Sequence, residues 1–187
     1  MMWKINVLGL ALWAAGLVAC GRAGDGTAED IRRWVGMRLE IPADMAARAD
    51  GRDTLLSPGD TAGVAKVLVY YSAEGCTPCK LKELMQWRPM IEELAEDSAV
   101  RFVFILNPAH TTERELEMTL YGMRFVHPVF YDRANEFEIS NPELPKNPVF
   151  QTFLLDSANR VMLVGSPVGN AKMWELYKRT IAGMTAE

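Results

Sequence analysis

Residues 66–94 hold the feature that most constrains the fold of this chain. An apolar, β-rich run, Lys66 to Tyr71, leads through a short polar turn into Cys76-Thr77-Pro78-Cys79. An amphipathic stretch follows, in which Leu81, Leu84, Met85, Ile91 and Leu94 share one broad face. The run reads as a buried strand and the stretch as a helix. Pro78 suits the first turn of that helix, where an amide donor has no partner anyway. Pro89 lies inside the helical pattern and predicts a break near Arg88. Cys76 therefore stands at a helix N-terminus, where unpaired amides and the helix dipole favour a thiolate. Cys79 lies one turn further in, within reach of a mixed disulfide formed at Cys76. Thr77 and Pro78 contribute the helix end that supports the thiolate.

The chain has one other cysteine, Cys20, and it belongs to a different argument. Lys4 precedes an apolar run from Ile5 to Ala19 that ends in Leu17-Val18-Ala19-Cys20. The run has the length of a signal-peptide core and is short for a membrane span. The stretch before Cys20 resembles the lipobox of bacterial lipoproteins. That resemblance implies cleavage before Cys20, lipidation of its thiol and stable anchoring by more than one acyl chain. Residues 1–19 are then a signal peptide and 20–30 a flexible, small and polar tether. Residues 31–187 form one domain, long enough for a proper core. Removing the signal takes away Lys4 and no acid, so the formal charge moves from −4 to about −5. No basic run is present, and nucleic-acid binding has no support. The expected location is the cell envelope, lipid-anchored and facing the periplasm or at the outer membrane.

With Cys20 lipidated, Cys76 and Cys79 are the only thiols left. A disulfide between them closes so short a loop that it removes little chain entropy. Chemistry explains the pair better than stability does. Three readings stand: a redox pair, an inert disulfide on a binding domain, or a metal site. The two histidines, His110 and His127, fit no standard zinc spacing with the cysteines. His127, before Pro128, is the one candidate for a copper ligand. The methionines lie at core spacing and read as packing, as do Trp87, Trp174, Tyr71 and Tyr121.

Further along, Arg101–Leu106 reads as a second buried strand, residues 112–121 as a helix, and Val129–Asp132 as a short strand. The runs 149–156 and 160–165 read as a hairpin about the turn Ser157-Ala158-Asn159. Asn170 caps a last helix with Met173, Trp174, Tyr177 and Ile181 inward.

This order, together with Cys-x-Pro-Cys and the phrase Thr152-Phe153-Leu154-Leu155-Asp156, resembles the thioredoxin-like family and its membrane-anchored TlpA-type branch. The resemblance implies an α/β fold: a central mixed sheet flanked by helices, an N-terminal β extension opened by Trp34–Pro42, and an insertion before the final hairpin. It implies thiol-disulfide exchange with Cys76 attacking and Cys79 resolving, no bound cofactor, and no metal. It also implies protein clients bearing disulfides and a membrane electron donor that keeps the pair reduced. Nothing resembles the Thr-x-x-Cys pocket of peroxidases. Three positions depart from the family pattern. Gly75 replaces the usual tryptophan before the first cysteine. Tyr70 stands where thioredoxin has a buried acid; Asp132, Glu136 and Glu138 in the insertion are alternative carboxylates, though each reads as solvated surface. The position of the client-binding cis-proline falls on Phe150, with Pro148 two residues early. Either Pro148 is cis in a longer loop, or the platform is built around Phe150 with a trans bond.

Overall fold

The computed structural model describes residues 25–185, apart from 51, 62–63, 75–76, 96–99 and 109–110. The chain divides into two units, Met1–Arg32 and Arg33–Glu187. The first helix, α1, runs Asp25–Trp34. Its first residues fall within the stretch 20–30 that reads in the sequence as a tether. Arg32 and Arg33 sit in its last turn, where the helix dipole favours positive charge.

The second unit contains a mixed seven-stranded sheet, in the order β2-β1-β5-β4-β3-β6-β7. Its strands are β1 Ala46–Ala49, β2 Arg52–Thr54, β3 Ala65–Tyr71, β4 Val100–Leu106, β5 Val129–Tyr131, β6 Thr152–Leu155 and β7 Val161–Val164. The strands β3, β4 and β5 run parallel, and the remaining pairs are antiparallel. Every residue of β3 is buried, as its unbroken apolar run requires of a strand covered on both faces.

Val67, Val69 and Tyr71 face the main core. There they meet Leu81, Leu84 and Trp87, Leu116 and Leu120, and Trp174, Tyr177 and Ile181. Leu68 and Tyr70 point to the opposite face by the two-residue period of a strand. The Tyr70 ring meets Phe137 there, with centroids 4.9 Å apart.

The helix after β3 breaks as Pro89 demands, slightly earlier than Arg88. Helix α2 is Thr77–Leu84, a 3-10 turn takes Met85–Trp87, and α3 is Arg88–Glu93 with Pro89 in its first turn. Pro89 has no N–H for the Met85 carbonyl, and its ring would strike that carbonyl in a continuous helix. Helix α4, Glu113–Met123, begins with a reciprocal cap. Glu115 N–H donates to Thr112 Oγ1 at 3.3 Å, and Thr112 N–H donates to Glu115 Oε2 at 2.9 Å. Helix α6, Ala171–Thr185, is capped by Asn170, whose Oδ1 accepts from Met173 N–H at 3.1 Å.

Three expectations are corrected. Trp34–Pro42 forms no full strand: Trp34 ends α1, and the segment after it makes one isolated bridge, Arg38 to Arg160, flanked by backbone hydrogen bonds from Gly36 N–H to the Val161 carbonyl at 2.8 Å, from Val161 N–H to the Met37 carbonyl at 2.8 Å and from Leu39 N–H to the Asn159 carbonyl at 2.9 Å. The last-but-one strand starts at Thr152, because Pro148–Phe150 winds into a 3-10 turn capped by Asn147. Tyr121, expected in the core, is 63% exposed on the outer face of α4.

The β1–β2 hairpin and the short helix α5, Glu136–Ser140, have no counterpart in the sequence reading. The hairpin did leave a signal in Asp50-Gly51, a pair typical of tight turns; Asp50 sits at φ 52°. Arg48 of β1, almost enclosed, pairs with Asp53 across the hairpin at 3.1 Å and ties the hairpin to α4 through Glu113 at 3.6 Å and Glu117.

Asp132 corrects the expectation of a solvated carboxylate: it is only 2% exposed. Its two oxygens accept from Glu136 N–H at 2.7 Å and Phe137 N–H at 3.0 Å, which satisfies the start of α5. Asp132→Ala strands these donors in a buried position. It should lower unfolding stability by about 2 kcal/mol, read as a lower urea midpoint at unchanged slope.

Candidate active site

The sheet's parallel core directs the loops after β3, β4 and β5 to one end. The loop after β3 carries the cysteine motif. Cys76 lies outside the described residues, as do Cys20 and His110. Thr77 and Pro78 open α2, and Cys79 is its third residue, exposed to solvent in the first turn. The ammonium of Lys80, the next residue, donates back to the carbonyl of Ser72 and so closes the loop between β3 and α2. Tyr71 lies buried at the end of β3; burial and the nearby Glu83 push its phenol well above the ordinary range, so it stays protonated.

Pro148 and Phe150 occur on the neighbouring chain segment. The β3–β6 register pairs Val69 with Thr152, and Tyr70 N–H donates to the Gln151 carbonyl at 2.9 Å. The turn Pro148–Phe150 precedes that hydrogen bond directly and so lies near the C-terminal end of β3. No peptide bond among the described residues is cis, so Pro148 and Phe150 both follow trans bonds. Of the two alternatives for this turn, Pro148 takes the trans form. The turn is held by Val149 N–H to Asn147 Oδ1 at 3.1 Å and by the buried Gln151, whose Nε2 donates to the Pro145 carbonyl at 3.0 Å. Phe150 rests against Trp34, with ring centroids 5.8 Å apart.

The insertion supplies one carboxylate to the face beneath this end of the sheet, and it is Glu138. Tyr70 O–H is shared between Asn135 Oδ1 at 3.1 Å and Glu138 Oε2 at 3.4 Å. Asn107 Nδ2 also donates to Asn135 Oδ1, at 3.1 Å. Lys146 Nζ closes the other side of Glu138 at 2.5 Å, and this hydrogen bond chiefly holds the carboxyl below its usual range. Burial, then the charge on Glu138, raises the Tyr70 phenol far above neutrality. Tyr70 therefore does not take over the acid's part as a base. It joins β3 to a carboxylate from the insertion. Glu136 is exposed and makes no such link, and Asp132 is occupied in capping α5. The sequence marked this network in one place, the tyrosine where the family pattern has an acid; Asn107 and Asn135 carried no signal.

His127 lies at the wrong end of the sheet for a thiol partner. It precedes β5, which runs parallel to β3, so it sits at the strands' N-terminal ends. Its neighbours are Arg88 and Glu92 of α3 and the ring of Phe125, 5.6 Å away. The copper expectation for His127 is corrected by this placement. Among the described residues no cluster of three or more His, Cys, Asp or Glu could hold a metal ion.

No protein-family model matches the chain, and no curated protein sequence matches it significantly. Solved structures do match. A thioredoxin-family thiol:disulfide interchange protein from Chlorobium tepidum superposes with a TM-score of 0.54 at 16% identity, over 78% of this chain and 97% of that one. AhpC of Enterococcus faecalis gives 0.55 at 13%, over 80% and 95%. The thioredoxin domain of a thiol-disulfide oxidoreductase from Bacteroides vulgatus gives 0.53 at 11%, over 79% and 97%. The fold is thioredoxin-like, as the sequence reading expected, and at these identities the likeness is one of fold.

His127 gives this region a pH dependence. Burial, reinforced by Arg88, lowers its pKa from 6.5. The unfolded chain then takes up the proton more readily than the folded one. The imidazole's contribution to stability is full above pH 6.5 and is lost as pH falls through the lowered folded value. Urea midpoints measured between pH 7.5 and 5 should fall more steeply for the wild type than for His127→Gln; equal slopes would contradict this.

Proposed function

We propose that this chain is a thiol-disulfide oxidoreductase of the cell envelope, anchored through lipid on Cys20 and acting on protein disulfides. The observation that carries the proposal is the position of the Cys-x-Pro-Cys motif. Its last three residues, Thr77 to Cys79, start the helix that follows a central, fully buried strand of a thioredoxin-like sheet, with Cys79 open to solvent. A disulfide needed for stability would be expected to join distant segments and to be shielded.

In the proposed cycle, the Cys76 thiolate attacks one sulfur of a client disulfide. The client S–S bond breaks, a mixed disulfide forms at Cys76, and the first client thiolate departs and takes up a proton. Cys79, as thiolate, then attacks the Cys76 sulfur. The mixed disulfide breaks, the second client thiolate leaves, and Cys76 and Cys79 are oxidised to a disulfide. Two electrons pass to the client. A dithiol donor, for which a membrane protein is the expected source, restores the pair by the reverse exchange. The resemblance to TlpA-type proteins favours the reductive direction. The pair itself is the redox centre, and the proposal includes no cofactor. Glu138 is the acid placed to influence it, acting through Tyr70 and the loop ends that Asn107 and Asn135 join. Among the described residues no helix is long and apolar enough to cross a membrane; the proposed attachment is the lipid on Cys20.

The purified domain should reduce insulin with dithiothreitol as donor, and Cys76→Ser should abolish the acceleration. Equal turbidity rates for the two proteins would leave a non-catalytic binding scaffold as the reading. Titration of the pair against a glutathione buffer fixes its direction. In a bacterial host, Cys20→Ser should move the protein from the membrane to the soluble fraction.

A further inference from the structure

The sheet face opposite the cysteine helix carries a second candidate site. We propose that the cavity beside Trp34 binds one small neutral apolar molecule, about the size of a single aromatic ring. The inference goes beyond the redox reading and does not depend on it.

Place and size come first. Leu68 of β3 pairs with Phe153 of β6, and both point away from the face that Leu81 and Leu84 of α2 cover. On that far side Phe153, Leu39, Leu144 and Val161, all buried, enclose a cavity of about 200 Å³ with Trp34 as a further wall. An apolar cavity of roughly 150 Å³ stays dry and takes up benzene, whereas pockets for drug-sized ligands begin near 300 Å³. The volume therefore selects one ring.

The walls select a neutral occupant, because their polar groups are already engaged. Asn141 lines the cavity, yet its Oδ1 accepts from Glu40 N–H at 2.8 Å and its Nδ2 donates to the carbonyls of Glu40 at 2.8 Å and Phe137 at 2.7 Å. The backbone N–H groups of Met37, Leu39 and Leu144 donate to the carbonyls of Trp34 at 3.1 Å, Asn159 at 2.9 Å and Asn141 at 3.0 Å. Trp34 Nε1–H donates to the Glu143 carbonyl at 2.9 Å. Pro142 and Pro145, also in the lining, have no N–H to give. A polar or ionic ligand would lose its hydration here and find these partners taken. Arg38 and Glu143, both exposed, border the cavity with one charge of each sign and favour neither.

The same hydrogen bonds keep the gap open. They join chain segments that meet only at this face: Trp34 to Glu143, Glu40 to Asn141, and Gly36 N–H to the Val161 carbonyl at 2.8 Å. Walls held in this way cannot close on the space between them, and their atoms lack dispersion partners on one side. A ring inserted there restores those contacts, and the ordered walls lose little entropy when it binds.

Fluorobenzene is the probe, titrated into the mature chain and followed by fluorine NMR and by the protein's own methyl and indole resonances. Binding should saturate. It should shift the Trp34 indole N–H and the methyls of Leu39, Leu144 and Val161, and leave Leu81 and Leu116 of the main core unmoved. Benzoate, the same ring with a charge, should bind at least about tenfold more weakly. Leu144→Phe places a ring in the cavity from its own wall and should abolish probe binding; should that variant fail to fold, the shift map of the wild type decides. No saturation up to the solubility of fluorobenzene, shifts confined to the main core, or equal binding of benzoate overturns the site. Probe binding by Cys20→Ser that the lipidated chain lacks would assign the cavity to the protein's own acyl group and overturn the proposal. Dimers that the probe dissociates would assign it to a side chain of a second copy, with the same consequence. None of these readouts involves thiol exchange, so the site and the redox reading stand or fall separately.

Discussion

The double pairing of β3 is the constraint on which the rest depends. This strand is hydrogen-bonded to β4 in parallel along one edge and to β6 in antiparallel along the other, and both its faces are covered. The parallel edge sets the direction in which the cysteine loop leaves the sheet. The antiparallel edge brings the turn Pro148–Phe150 up beside that loop. A shift of one residue in the β3–β6 register would turn every buried side chain of β6 to the wrong face. The placement of Thr152 opposite Val69, and of the turn just before it, is thus enforced by core packing.

What the sequence made legible follows from how locally each signal is encoded. Buried strands such as β3 and β4 announce themselves by continuous runs, and α2, α4 and α6 by period and cap. Pro89 told of a helix break because its effect is confined to the preceding turn. The polar network was not legible, since Tyr70, Asn107, Asn135 and Glu138 lie far apart in sequence and meet only through the fold. Asp132 and Tyr121 were misplaced for the same reason in opposite senses: a carboxylate gained partners from the backbone of α5, and a tyrosine found itself on the face of α4 that has nothing to pack against. Trp34 read as the first residue of a strand and is the last of a helix; the β-like pairing begins only after it, with Gly36 to Leu39 hydrogen-bonded to Asn159–Val161.

The candidate site combines a familiar scaffold with altered parts. A phenol replaces a buried acid, and a carboxylate enters from the insertion, partly neutralised by Lys146. A trans turn carrying an aromatic ring replaces a cis-proline platform. Each change is compensated nearby: the phenol's hydrogen bond is satisfied, Glu138 has its ammonium partner, and the turn is capped and backed by Gln151.

The interruption at Met85–Trp87 has a mechanical consequence. Below it, α3 is clasped to the C-terminal helix, where Glu93 accepts from Trp174 Nε1 at 2.6 Å and from Lys178 Nζ at 2.7 Å. Above it, Cys79 rides on two turns of helix. A single straight rod would carry any tilt of the thiol end into that clasp as a lever. The tight turn, anchored by Trp87 in the core, breaks that rod, so the direction of α2 is set separately from the clasp on α3.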